Sequence, residues 1–244
     1  MKVRDTATAG ALAHAAPSSF EPIGRENLTG RVYGELRNGL LHGRFWPGER
    51  LKIRDMAKAM DVSETPVREA VLQLAREGGL EIVASRSIRV VSLSLAQYLE
   101  LRRIRLELEG LAGEVAAGRI RPDEIAEMER LQQDLCAAQD GGDWPRAIRA
   151  GCEFHFRLYD ASGMPELVKF LEQIWLRTAP QLNLLYRDAP SSNPGRHHHT
   201  TLIRALRARD PAAVRRALAE DLIEGGQPLV TMMQALEAGQ ASAA

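Results

Sequence analysis

The chain has 244 residues in which 32 Lys/Arg balance 32 Asp/Glu, so the formal net charge is zero and no global basic charge points to nucleic acid. Two cysteines, Cys136 and Cys152, are too few for a disulfide framework and suggest a reducing compartment. No run of about 18 apolar residues exists to span a membrane, and the length suits one large or two modest domains.

Residues 1–26 are rich in Ala, Thr, Ser and Pro. Lys2 and Arg4 ahead of Ala9–Ala13 loosely imitate a secretion signal, but Asp5, Thr6, Thr8 and His14 interrupt any apolar h-region. A disordered N-terminal arm is expected. Residues 28–92 then carry 11 Lys/Arg against 8 Asp/Glu, whereas residues 93–244 carry 18 against 21. The asymmetry has the sign expected of a DNA-facing N-terminal part.

Leu28, Val32, Leu36, Leu40 and Leu41 keep helical spacing up to Gly43, and Trp46-Pro47-Gly48 turns the chain back. A short helix at Arg54–Met60 precedes a tight turn and a second helix starting near Ser63. Ser63 is expected to cap that helix by accepting from the Thr65 N–H, with Pro66 in the first turn. Val67, Val71 and Leu74 form its apolar stripe and leave Glu64, Thr65 and Arg68 facing outward. This is the geometry of a helix-turn-helix, although an ordinary helical hairpin has the same local pattern. The β-branched runs Leu80–Val83 and Ile88–Val91 around Ala84–Ser87 predict a hairpin, completing a winged helix-turn-helix over residues 27–92 with Arg86 at the wing tip.

From Ser94 every periodic segment is helical. Ser94-Leu95-Ala96-Gln97 is a capping box opening a helix to about Gly118. Further helices are predicted from Pro122, from Asp143-Trp144-Pro145 to Ala161, and from Pro165 to about Arg187. The last two run from after the loop 188–195 to Arg209, and from Asp210-Pro211 to about Leu236. The fold class is therefore mainly α: a winged helix-turn-helix followed by an all-α bundle of six to seven helices over residues 93–236, with a small polar tail at 237–244.

Residues 28–91 resemble the DNA-binding domain of GntR-family bacterial transcriptional regulators. The carrying features are Leu36 and Leu40, the Gly-x-x-x-Pro-Gly-x-x-Leu run at Gly43–Leu51, and Val62-Ser63-x-Thr65-Pro66-Val67-Arg68-Glu69-Ala70. The resemblance implies DNA contacts by Arg54, Ser63, Thr65, Arg68 and the wing. One position departs: the family usually has Arg where this chain has Glu64. A carboxylate there either accepts from cytosine N4 and changes the operator, or simply favours the positive helix N-terminus.

The second half resembles the FCD-type domain of the FadR/FCD subgroup, through Arg105-x-x-Leu108-Glu109, Phe154-His155 followed by Ala161-Ser162-Gly163, and His199-x-x-Leu202-Ile203-x-Ala205-Leu206-x-x-Arg209-Asp210. The resemblance implies a dimer that senses a small organic acid, often through a divalent metal such as Zn, Ni or Mn. Spacing points the same way. His199 lies 11 residues before Asp210 and Asp221 lies 11 after it, so a helical hairpin turning at Asp210-Pro211 sets them at one level. His155 comes from another helix, and three ligands then converge in the bundle. Of His197, His198 and His199, only one can aim at a given centre, because successive helical positions are about 100° apart.

Two family ligands are missing: an expected Asp is Gly151, and an expected third His is Asp221. Cys152, at i−3 from His155, is a candidate soft ligand or a small core residue. Arg102 and Arg105 are candidates to clamp an effector carboxylate, with an Arg105–Glu109 i,i+4 pair as the structural alternative.

The expected function is a cytoplasmic, metabolite-responsive regulator of the repressor type. It would bind a palindromic double-stranded DNA operator as a homodimer and be released or modulated by a small carboxylate. Two alternatives remain open: a metal-dependent hydrolase using the His/Asp centre, and a regulator sensing an acyl ligand without metal.

Overall fold

The computed structural model describes residues 28–83, 87–186 and 195–242. The expected N-terminal arm at 1–26, the wing tip with Arg86, and most of the loop 188–195 lie outside the described residues.

Helix α1 (Leu28–Leu41) lays Val32, Leu36 and Leu40 against α3 (Glu64–Arg76), whose Val67, Val71 and Leu74 supply the facing stripe. Leu40, Val67 and Leu74 are fully buried, a transfer worth about 1.5–3 kcal/mol for each such side chain. The short α2 (Ile53–Ala59) joins α3 through a turn in which Asp61 has φ +52, a left-handed conformation that Asp tolerates better than most residues. Ser63 occupies the N-cap position, but its side chain accepts no capping hydrogen bond. The third helical position is Pro66, which has no N–H to offer, and the expected bond from Thr65 is not formed.

Strand β2 (Leu80–Val83) pairs antiparallel with β3 (Ser87–Val90) in the register Leu80↔Val90 and Ile82↔Ile88. A two-residue strand β1 (Arg50–Leu51), unforeseen in the sequence, pairs with the other edge of β3 to give the order β1-β3-β2.

The bundle begins with α4 (Leu95–Arg119), opened by the expected capping box: the Ser94 N–H donates to Gln97 Oε1 at 3.0 Å and the Gln97 N–H to Ser94 Oγ at 3.2 Å. It packs against α9 (Pro211–Glu220), α6 (Trp144–Ala161) and α7 (Pro165–Thr178), while α5 (Pro122–Asp140) lies between α6 and α8 (Gly195–Arg207). Asp143 and Asp210 cap α6 and α9 by accepting from the Arg146 and Ala213 N–H groups.

Two predicted helices differ in detail. The segment expected to stay helical from Pro165 to about Arg187 changes at Thr178 into a 3₁₀ helix, Ala179–Tyr186. Pro180 lacks the N–H that an α-helical turn needs there. The helix expected from Pro211 to Leu236 is interrupted by a π-helical turn, Asp221–Gly225, before α10 (Gln227–Ser242). The Gly226 N–H donates to Asp221 O at 3.1 Å, two glycines weaken α-helix propensity, and Pro228 removes the next donor. Helix α10 also continues into the segment expected as a polar tail.

The two domains are in direct contact. Arg37 pairs with Glu172 at 2.6 Å, Gln181 Nε2 donates to Val91 O at 3.1 Å, and Asn183 Nδ2 donates to Phe45 O at 2.9 Å. Gly43 (φ +71) lets the turn after α1 pass so close to α6 that an added Cβ would stand 2.8 Å from Ile148 Cδ1.

Candidate functional site: a His/His/Asp cluster beneath the DNA-reading domain

Three elements converge on one cavity. His155 projects from the middle of α6, His199 from α8, and Asp221 from the C-terminal end of α9, where it keeps α-helical backbone angles (φ −61, ψ −46) as the π turn begins. The structure brings all three together. His155 Nε2 lies 3.4 Å from Asp221 Oδ2 and His199 Nε2 lies 3.7 Å from Asp221 Oδ1, with the candidate ligand atoms all within 4.8 Å of one another. A cation with bonds of about 2.0–2.2 Å sets its ligand atoms roughly 3–4 Å apart, so the group could hold a divalent metal.

The surroundings orient these ligands. His199 Nδ1 is 2.5 Å from Gln132 Oε1 on α5, which leaves Nε2 as the free lone pair facing the cluster. Phe154 stacks on the His199 ring at 4.0 Å and 11°. Burial lowers the pKa of His199 to about 4 against the attraction of Asp221, so the ring is neutral at pH 7, as a ligand must be. Burial alone would raise the pKa of Asp221, but His199 and the hydrogen bond with His155 outweigh it and keep the carboxylate ionised. His155 Nδ1 is buried with no hydrogen-bond partner. Its ring is held instead by packing against Phe154, Tyr159 and Trp175.

The cavity measures about 130 Å³; besides this cluster it is lined by apolar side chains including Leu135, Ile148, Leu182 and Leu185, and by Tyr98 and Thr178. Arg105 lines it and Arg102 does not. Arg105 is 6% exposed; its Nε donates to Glu109 Oε1 at 2.5 Å and its guanidinium carbon sits 4.5 Å from the centre of the Trp175 ring. Trp175 Nε1 donates to the same carboxylate oxygen at 3.2 Å. The Arg105–Glu109 pair is therefore buried in the wall, unlike the exposed helical pair that spacing alone suggests. Cys152 also lines the cavity but is not part of the ligand cluster, and burial pushes its thiol pKa up to about 12. Gly151 lines the cavity too, and a Cβ built there would meet only Leu135 Cδ1, at 4.0 Å. His198 turns toward Glu224, with Nε2 at 3.5 Å from Oε2. The side chain of His197 lies outside the described residues.

Sequence reasoning missed Gln132 and the full burial of Glu109 behind Arg105. Gln132 carries no local signal, since only the packing of α5 against α8 brings it to His199.

At the other end, Arg54 at the start of α2 and Ser63, Glu64, Thr65 and Arg68 at the start of α3 are all exposed. Glu64 Oε2 lies 3.4 Å from Arg68 Nη2, one helical turn on, with both side chains about half exposed. At that exposure the pair is worth only a few tenths of a kcal/mol, yet it ties the unexpected acidic residue to an expected DNA-contacting arginine.

A winged helix-turn-helix joined to an effector-type helical bundle defines the class: a DNA-binding transcriptional regulator and not an enzyme. Residues 28–90 match the family described as "Bacterial regulatory proteins, gntR family" and residues 100–224 match the FCD domain, so the chain belongs to the GntR family with an FCD domain. It is similar to the HTH-type transcriptional regulator McbR of Escherichia coli, 34% identical over 80% of this chain and 89% of that one. The solved structure of E. coli McbR/YncC superposes with a TM-score of 0.79 at 31% identity, covering 87% of this chain and all of that one. The Nta operon transcriptional regulator of Aminobacter aminovorans is 31% identical over 69% of this chain and 80% of its own. A GntR regulator structure from Rhodococcus sp. RHA1 shares the fold, with a TM-score of 0.69 at 24% identity over 82% of this chain and 97% of that one. Among the described residues no helix is long and apolar enough to cross a membrane.

Proposed function

We propose that the chain is a cytoplasmic regulator, most simply a repressor, in which a divalent metal held by His155, His199 and Asp221 captures a small organic acid and so alters DNA binding. The carrying observation is the double role of the 3₁₀ segment 179–186. Ala179, Leu182 and Leu185 line the cavity; in a helix of three residues per turn they share one face. Gln181 and Asn183, between them, hold Val91 and Phe45 of the DNA-binding domain. A ligand that moves the cavity face moves the domain contacts on the same short element.

A bound metal would supply positive charge and open coordination positions for a carboxylate. Gln132 fixes the His199 tautomer, and Arg105 offers its remaining guanidinium donors beside the cluster. The DNA-facing groups are Arg54, Ser63, Glu64, Thr65 and Arg68, with Arg86 at the wing tip. Two chains on a two-fold operator supply the paired half-sites that this docking mode requires.

The test is fluorescence anisotropy on DNA selected by the protein from genomic fragments, with zinc, nickel or manganese and a panel of carboxylic acids. Stoichiometric metal and an acid-dependent change in DNA affinity support the reading; metal-free protein with an unchanged affinity across the panel refutes it.

A further inference from the structure

We propose that the ligand is a small monocarboxylate of about four to six carbons with an unsubstituted apolar body, and that the site discriminates against dicarboxylates and polyhydroxy acids. This rests on the metal reading above. The first support is the charge count along the cavity wall. Arg105 is the only cationic side chain of Lys or Arg type among the described lining residues, and Glu109 already holds its Nε. Asp221 is the only lining carboxylate, and histidines that ligate a metal are neutral. A divalent cation therefore leaves the site with one net positive charge. One carboxylate balances it, while a second carboxylate meets only Arg105, whose charge Glu109 already neutralises, and loses its hydration on entry.

The second support is the apolar share of the cavity wall. Ile148, Leu135, Leu182, Leu185, Leu222 and Leu229 line it, against only two hydroxyl-bearing side chains, Tyr98 and Thr178. The several hydroxyls of a sugar acid outnumber those partners, and the ones set against the leucines would be buried unpaired. The third is size. At about 130 Å³ the cavity is slightly smaller than one known to hold benzene at about 150 Å³. A six-carbon acid with its carboxylate at the metal matches that volume, and a longer acyl chain would extend out of it toward solvent.

Calorimetric titration of the zinc-loaded full chain with butanoate, hexanoate and benzoate, against succinate, adipate and gluconate, tests this. The expected result is at least tenfold tighter binding of hexanoate than of adipate, which corresponds to about 1.4 kcal/mol. Leu182→Phe, which takes space along the apolar wall, is expected to weaken hexanoate at least tenfold and butanoate less than threefold; equal losses for both count against the placement of the tail along that wall. Zinc content measured on the same samples separates the two possible failures. A chain that holds one zinc yet binds adipate or gluconate as tightly as hexanoate, or binds none of the acids, overturns the ligand class alone. A chain that holds no zinc but keeps the hexanoate preference overturns the metal reading and supports the ligand class. A chain that holds no zinc and shows no preference overturns both.

Discussion

Gln181→Leu isolates the link between the cavity and the DNA-binding domain. Gln181 is fully buried; its Nε2 donates to Val91 O at 3.1 Å and to Arg177 O at 3.2 Å, while its Oε1 is buried with no partner. Removing the donor leaves the buried Val91 carbonyl unpaired, at a cost of about 1–3 kcal/mol, and removing the unpaired acceptor Oε1 returns about 1–3 kcal/mol. These terms nearly cancel, and leucine approximates the lost volume, so the net change in stability is expected within about 1 kcal/mol. For a chain of this size that is a shift in Tm of no more than about 2–4 °C. The tether to Val91 is nonetheless gone. Coupling between two sites is typically about 1–3 kcal/mol, a change of about 5–150-fold in affinity. In the variant, the ligand-dependent change in DNA affinity is expected to fall to less than about a third of the wild-type factor, with metal content unchanged. The assay is DNA anisotropy with and without zinc and the acid that modulates the wild type. Hydrogen exchange over residues 44–51 and 87–93 is followed in parallel. If Leu at position 181 leaves both the affinity change and the exchange response of those two segments intact, the 3₁₀ segment is not the route, whatever else it holds in place.

Three further outcomes are expected. A metal at about 100 times its Kd adds about 2.7 kcal/mol to stability, or roughly 5–11 °C in Tm at this chain length; Asp221→Ala, which removes the ligand shared by both histidines, is expected to abolish most of the zinc-induced shift, and a full shift in the variant would count against the cluster as the metal site. In metal-free protein, His199 has a folded pKa of about 4, below its unfolded value of 6.5, so between these values the unfolded chain binds a proton that the folded chain refuses. Stability is thus fully present above pH 6.5 and lost as pH falls toward 4, at up to about 1.4 kcal/mol per pH unit and on the order of 3 kcal/mol in all. The depressed pKa of Asp221 adds a loss only below about pH 3.8. Urea unfolding at pH 7, 5.5 and 4 should show this slope reduced in His199→Gln, and identical slopes would contradict it. Finally, Glu64→Arg breaks the pair with Arg68 and places a guanine-reading group at the start of α3; selection from randomised DNA should reveal a new preferred base worth about 1–3 kcal/mol, and an unchanged preferred sequence would show that residue 64 does not read DNA.

Local signals made the architecture legible. The capping box at Ser94, the Asp-capped starts of α6 and α9, and the apolar stripe Val67, Val71, Leu74 act over one or two helical turns. They can be read from the sequence because capping and periodicity are short-range. Equal spacing of His199 and Asp221 about the Asp210-Pro211 turn likewise anticipated which side chains meet, because an antiparallel hairpin sets residues equidistant from its turn side by side. Where the local rules were incomplete, proline was usually the reason: Pro66 denies Ser63 a capping donor, Pro180 tightens the end of α7, and Pro228 follows the π turn that ends α9.

Packing between distant segments decided the rest. Strand β1 exists because β3 offers it an edge, and two residues have no periodicity of their own. The burial of Arg105 with Glu109 depends on Trp175, 66 residues from Glu109; the helical spacing of the pair is the same whether it faces solvent or a cavity. The tautomer of His199 depends on Gln132, 67 residues away. By itself the sequence determined a winged helix-turn-helix, a helical bundle, and the three side chains His155, His199 and Asp221 that meet in it. Only the tertiary structure decided that the cavity wall and the grip on the DNA-binding domain are one segment, since alternate residues of Ala179–Tyr186 acquire those roles from neighbours far away in the chain.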